Sequence, residues 1–186
     1  MEKLPITCRP ARPSERAAIN DLAFRAKAHW GYSVAQMEAW RADLALAPTL
    51  IARQQVLVAL HDGALSGVVA IDGDSGEWRL EHLWVDPFAM GQGIGRALLR
   101  AACACAHRLH AQALVIDADP NAAGFYRACG AEQIGAIPAP IAGNQSRTLA
   151  VFRLMTASLT PNNQISHTPC SSPSSLTSVR LKKSTR

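Results

Sequence analysis

The sequence predicts an α+β protein, a mixed and mostly antiparallel sheet flanked by helices in three layers. Three observations carry that expectation. Residues 54–60 and 65–71 are Val- and Leu-rich runs separated by His61-Asp62-Gly63, a hairpin turn signal. Residues 80–85 form a third run, ended at Asp86-Pro87 because proline cannot continue a ladder. Ile94, Leu98, Ala101, Ala102, Cys105 and Leu109 then recur at helical spacing, and another strand-like run follows at 113–118.

The remaining elements follow in order. Residues 6–9 read as a short first strand. Pro10 and Pro13 interrupt it, and Ser14 is placed to cap a helix that buries Ile19, Leu22, Ala23 and Ala26. That helix ends between Lys27 and Trp30, before Gly31. Ser33 opens a second helix carrying Val34, Met37 and Trp40 or Arg41, ending before Pro48. Residues 72–76 are a turn. Asp119-Pro120-Asn121 closes the strand at 113–118, residues 122–129 are a short helix, and Gly130 is a good terminator. Residues 131–134 and 148–154 are the last strands, with 138–144 a loop between them. No internal repeat is present.

The 186 residues suffice for one domain with a real core. We expect that domain over residues 5–155 and a disordered tail over 156–186, where Ser, Thr, Asn and Pro dominate and apolar periodicity is lost. The formal charge of +5 is misleading. Four of the nineteen basic residues and none of the fourteen acidic ones lie beyond Met155, so the folded part carries only +1. That argues against a nucleic-acid partner. No apolar run approaches the roughly 20 residues of a membrane span, and the N-terminus lacks a signal-peptide core, so no membrane association and a cytoplasmic location are expected. The five cysteines include no Cys-x-x-Cys pair, and neither a metal nor a disulfide framework is expected.

Residues 77–100 organise the chain. Gly91, Gly93 and Gly95 alternate through the turn that opens the long helix. A helix N-terminus presents unpaired N–H groups and a positive dipole end, and glycines let the backbone approach an anion closely. Arg96 adds a cation in the first turn. A phosphate-binding loop of the Gly-Lys-Ser/Thr type is excluded, because Arg96-Ala97 follows Gly95. The G-x-G-x-G spacing, with several strands before it, also argues against a dinucleotide fingerprint.

The run Leu83-Trp84-Val85-Asp86-Pro87 followed by Gly91-Gln92-Gly93-Ile94-Gly95-Arg96-Ala97-Leu98-Leu99 resembles the acyl-CoA signature of the GNAT N-acetyltransferase superfamily. The segment from Asp119 to Gly130, with its Phe125-Tyr126 pair, is similar to a second family motif. The likeness spans about residues 7–154 and implies the GNAT fold. It implies that Leu83, Trp84 and Val85 bind acetyl-CoA, the co-substrate, through their backbone, and that Gly91, Gln92, Gly93, Ile94, Gly95 and Arg96 hold its pyrophosphate. Met90 stands where the family usually has Arg or Gln. By the same likeness Asn121 hydrogen-bonds the pantetheine arm, and Tyr126 stands near the CoA sulfur and protonates the departing thiolate. A phenol suits that task, being neutral near pH 7 and able to donate. The likeness also implies an acceptor pocket near His29, Trp30 and Tyr32, and a dimer is common in the family.

Acyl transfer to an amine needs the ammonium proton removed. Glu81 or His82 could receive it; being adjacent on a strand they should face opposite sides, so that only one faces the site, with Glu81 favoured slightly. The resulting expectation is acetyl transfer from acetyl-CoA to a primary amine by direct attack in a ternary complex. Small amines, amino acids, antibiotics and protein amines all stay open as acceptors. A non-catalytic acyl-CoA-binding or sensor module on the same fold is the alternative.

Overall fold

The computed structural model describes residues 5–74 and 77–159. Seven strands form one sheet: β1 (Ile6–Pro10), β2 (Val56–His61), β3 (Ala64–Gly73), β4 (Trp78–Val85), β5 (Ala113–Ala118), β6 (Glu132–Pro138) and β7 (Thr148–Met155). Their order is β1-β2-β3-β4-β5-β7-β6. Every pairing is antiparallel except β4 with β5. The helices are α1 (Arg16–Ala28), α2 (Val34–Ala39), α3 (Arg41–Leu44), α4 (Pro48–Ala52), α5 (Ile94–Arg108) and α6 (Ala123–Ala128).

Two cores explain why β2 and β3 read as nearly continuous apolar runs. Side chains alternate across a strand, and here both faces are covered. Val56, Val58, Val68 and Ala70 pack with Ile19 and Leu22 of α1 and Leu50 and Ile51 of α4. Leu57, Ala59, Val69 and Ile71 pack on the other face with Ile94, Leu98 and Leu99 of α5. That second core extends across the sheet to Leu114, Ile116, Phe152 and Leu154. β6 lies at the edge and is exposed along its whole length.

The structure departs from the sequence expectations at several places. Ser14 does not cap α1; it lies in a 3-10 turn (Pro13–Glu15), and α1 begins at Arg16. Glu15 is the N-cap residue of α1 but makes no side-chain cap to it; its carboxylate instead caps the 3-10 turn, accepting from the Arg12 amide at 2.8 Å while pairing with Arg9 at 2.6 Å. Ser33 does cap α2, accepting from the Gln36 amide at 3.2 Å. The expected single helix after it breaks at Trp40, whose ring meets Tyr32 edge-on at 4.9 Å. A further short helix, α4, starts with Pro48 at a position where a missing N–H costs nothing. β6 runs to Pro138, beyond the expected end at 134.

The ordered fold also continues past Met155. Thr156–Leu159 is a 3-10 turn, and Thr156 is 1 % exposed. Its amide donates to the Gln112 carbonyl at 2.9 Å and its hydroxyl to the Ala111 carbonyl at 2.8 Å. Two backbone acceptors after α5 therefore fix the chain's exit, which apolar periodicity does not report. The rest of the expected tail, residues 160–186, and part of the 72–76 turn lie outside the described residues. Among the described residues no helix is long and apolar enough to cross a membrane.

Leu98 sits at the centre of the α5 contact with β3, fully buried, and a methyl placed on Gly67 would lie 2.8 Å from its Cδ1. Leu98→Ala removes buried apolar volume where the backbone is already closely packed. We expect a loss of about 3 kcal/mol, read by denaturant unfolding. A loss below about 1 kcal/mol would contradict this packing.

Candidate active site

β4 and β5 pair only at their beginnings, Trp78 with Leu114 and Arg79 with Val115. Beyond Arg79 the eight-residue and six-residue strands separate. A bulge helps explain the divergence. On β3, Ala70 pairs with His82 and Ile71 with Leu80, so Glu81 is an extra residue on β4. Bulges bend a strand and increase its local twist.

The separation opens a cavity of about 420 Å³. Its floor comes from residues 80–84 of β4 and 116–119 around the end of β5. Tyr126 of α6 closes one side, Lys27 and Trp40 another, and Arg147 with residues 139–141 a third. The bulge overturns the expectation that only one of Glu81 and His82 faces the site, because both line this cavity. The His82 Nδ1 accepts from the Trp84 indole N–H at 3.2 Å. A neutral imidazole in that arrangement carries its proton on Nε2, so its basic nitrogen is already engaged. Glu81 lies 4.0 Å from the Arg79 Nε.

The glycine loop follows β4. Asp86 accepts from the Phe88 amide at 3.1 Å and shapes the 3-10 turn Pro87–Ala89. Gly93 is the N-cap of α5 at φ +90°, a conformation that favours glycine. It offers no side-chain cap, so the first-turn amides of Ile94, Gly95 and Arg96 keep their hydrogen-bonding capacity for an outside acceptor. Gly95 suits a close approach, since a Cβ there would lie 3.3 Å from the Phe125 ring, tighter than ordinary contact. The loop and α6 are thus packed against each other. Ile94 is buried and can reach a ligand only through its amide. Gly91, Gly93 and Arg96 are exposed, and Met90 and Gln92 are half-buried, with the Gln92 amide donating to the Phe88 carbonyl. Arg96 donates to the Ala128 carbonyl at 3.4 Å.

Tyr126 is 5 % exposed, packed between Phe125 (5.1 Å between ring centroids) and Phe152 (6.1 Å). Burial, with a smaller contribution from Cys129, pushes its phenol pKa well up, so the hydroxyl holds its proton throughout the physiological range. Leu83 and Trp84 line the cavity, whereas Val85 packs into the core beside Gly95.

A charged cluster forms the opposite wall. Asp119 Oδ2 accepts from Lys27 Nζ at 2.5 Å, from the Tyr32 hydroxyl at 2.7 Å and from Arg147 Nη2 at 3.0 Å. Its Oδ1 accepts from both nitrogens of Asn121 at 3.0 Å. Burial alone would raise the Asp119 pKa, but the hydrogen bond and charge of Lys27, with the Tyr32 and Asn121 donors, outweigh it and hold the carboxyl at about 2. Burial pulls the Lys27 pKa down against the opposing pull of Asp119. Lys27 Nζ also lies over the rings of Trp40 (4.6 Å) and Tyr32 (4.7 Å).

Of the expected acceptor-pocket residues, Tyr32 joins this cluster. His29 and Trp30 are exposed, packed edge-on against each other at 5.5 Å, and do not line the cavity. Lys27, Asp119 and Arg147 were not singled out by sequence reasoning. Lys27 left one trace, a lysine four residues after Ala23 on the buried stripe of α1. Arg147 left none, since only the fold brings it within reach of Asp119.

A family model described as "Acetyltransferase (GNAT) domain" matches residues 13–137. No curated protein matches the chain. Among solved structures, a GCN5-related N-acetyltransferase from Rhodopseudomonas palustris is 22% identical with a TM-score of 0.66, covering 83% of this chain and 98% of that one. The PaiA N-acetyltransferase of Thermoplasma acidophilum, in complex with coenzyme A, is 17% identical with a TM-score of 0.63, covering 82% and 99%. A GNAT family acetyltransferase from Brucella melitensis, in complex with acetyl-CoA, is 22% identical with a TM-score of 0.58, covering 81% and 88%. At these identities the likeness is one of fold.

The depressed Asp119 pKa fixes a sign. Its stabilisation is present above the ordinary carboxyl value of 3.8 and is lost as pH falls through about 2. The shift corresponds to about 2 kcal/mol. Asp119→Asn should therefore be less stable than the wild type at pH 7, leaving Lys27 and Arg147 without their shared anion, and the gap should narrow between about pH 4 and pH 2. Thermal melts across that range test this; a constant gap would contradict it.

Proposed function

The chain belongs to the GNAT acetyltransferase family, and from that premise we propose that it transfers an acetyl group from acetyl-CoA to a primary amine by direct attack in a ternary complex. The observation that carries this reading is the cavity between the separated strands β4 and β5, with the uncapped N-terminus of α5 following β4 and Tyr126 in its wall.

The residues present fit the co-substrate. The first-turn amides of Ile94, Gly95 and Arg96, behind the exposed turn at Gly91–Gly93, suit a pyrophosphate, and the Arg96 guanidinium adds a cation. Met90 contributes no charge there. Where β4 leaves β5, the backbone of Leu83, Trp84 and Val85 lacks a parallel partner on that side and can hydrogen-bond an extended amide-bearing arm. Bound acetyl-CoA supplies the activated acetyl thioester; deprotonation and leaving-group protonation are left to the chain.

Glu81 receives the acceptor's ammonium proton, directly or through one water, because the His82 Nδ1 is engaged by Trp84. Tyr126 gives its hydroxyl proton to the departing thiolate. Burial keeps that phenol neutral and so able to donate, while making it a weaker acid, so the proton it gives is replaced from the one released by the acceptor amine. Asn121 is held by Asp119 and Tyr32 at the rim and steadies the pantetheine arm.

Tyr126→Phe tests this assignment. Thiol release in the presence of an amine acceptor should fall about 10² to 10⁴-fold in kcat, while acetyl-CoA affinity stays within about threefold of wild type. Unchanged turnover would remove Tyr126 from the chemistry. Acetyl-CoA binding with no turnover of any amine would favour the non-catalytic acyl-CoA module, to which the uncharged Met90 gives some support.

A further inference from the structure

Lys27 and Arg147 are 7 % and 8 % exposed, and both line the cavity. They share one carboxylate oxygen, Asp119 Oδ2. Two cations and one anion leave this buried corner at +1. Buried charge is costly unless it is paired. Arg147 also has donors to spare. Nη1 donates to the Ala139 carbonyl and Nη2 to Asp119, and its buried Nε has no partner among the described residues. A guanidinium offers five N–H groups in a planar fork suited to a carboxylate. The rings of Trp40 and Tyr32 lie 5.6 and 5.8 Å from Arg147 Cζ, and apolar ring faces beside the guanidinium lower the local dielectric and strengthen any ion pair made there.

Elsewhere the same cavity is acidic. Glu81 and Asp117 line it, with Arg79 nearby at 4.0 and 2.6 Å, and the exposed Asp43 lines it beside Trp40. The cavity therefore has a cationic corner and an acidic wall. We propose that the acceptor is an amino-carboxylate, with its amine against the Glu81 wall and its carboxylate paired with Arg147 and Lys27. The excess of one charge matches a monoanion. A phosphate monoester brings a second charge that this corner would leave unpaired beside Asp119. The inference rests on the proposed acetyl transfer and narrows its acceptor to one chemical class.

The test compares free amino acids with their carboxamides and with the corresponding decarboxylated amines, each with acetyl-CoA and the full chain. For the best acceptor, wild-type kcat/KM should favour the free acid by about a hundredfold, because the analogues leave a buried cation unpaired. In Arg147→Met that preference should collapse towards unity, and in Arg147→Lys it should be partly restored. A second measurement needs no variant to fold. The deaminated analogue of the best acceptor, with its carboxylate kept, should compete with that acceptor on the wild type, and its carboxamide should not. Equal turnover of acids and carboxylate-free amines, or an Arg147→Met preference equal to wild type, overturns the inference while acetyl transfer stands. No turnover of any amine overturns the underlying reading, and this one with it.

Discussion

The incomplete pairing of β4 with β5 is the constraint on which the rest of the structure depends. A parallel ladder normally continues because unpaired backbone groups are costly when buried. Here it stops after Arg79 and Val115, and the bulge at Glu81 bends β4 where the separation begins. Residues that alternation would send to opposite faces, Glu81 and His82, then meet one cavity. The same divergence opens the cavity that Tyr126 lines from α6, and leaves room for a ligand's backbone-like arm to take the place of the missing ladder.

An opened sheet needs something to hold its lips. On one side α5 does so, with Ile94, Leu98 and Leu99 buried against β2 and β3 and Gly95 against Phe125 of α6. On the other side the work is electrostatic. Asp119 follows β5, and its carboxylate ties α1 through Lys27, the α1–α2 connection through Tyr32, and the entry to β7 through Arg147. That side has few apolar contacts available, since β6 is exposed and β7 only half-covered on its outer half. A charge cluster costs more to bury than aliphatic packing but fixes donor directions. The site gains a wall whose groups are already oriented.

What the sequence made legible follows from what is local. The hairpin at His61-Asp62-Gly63, the α5 stripe and the glycine turn each depend on residues close in sequence, and the structure has them where periodicity and turn chemistry place them. The family likeness implied a place for Tyr126 near the CoA sulfur, which no local pattern would suggest, and in the structure Tyr126 lines the cavity between β4 and β5. Non-local features were hidden. The Glu81 bulge is a matter of register between β3 and β4. The break at Trp40 comes with its ring turning toward Tyr32 and Lys27, against a helical pattern that runs through it. Arg147 lies 28 residues from Asp119, and nothing in its own neighbourhood marks it.

The central claim is that an acyl-CoA lies in the β4–β5 opening with its phosphates on the N-terminus of α5. Hydrogen–deuterium exchange of the full chain, with and without saturating acetyl-CoA, addresses it most directly. The account predicts slowed exchange in peptides covering residues 83–85 and 91–97, with β1 and β2 unchanged. Saturable binding with protection elsewhere, or no protection at all, would contradict it.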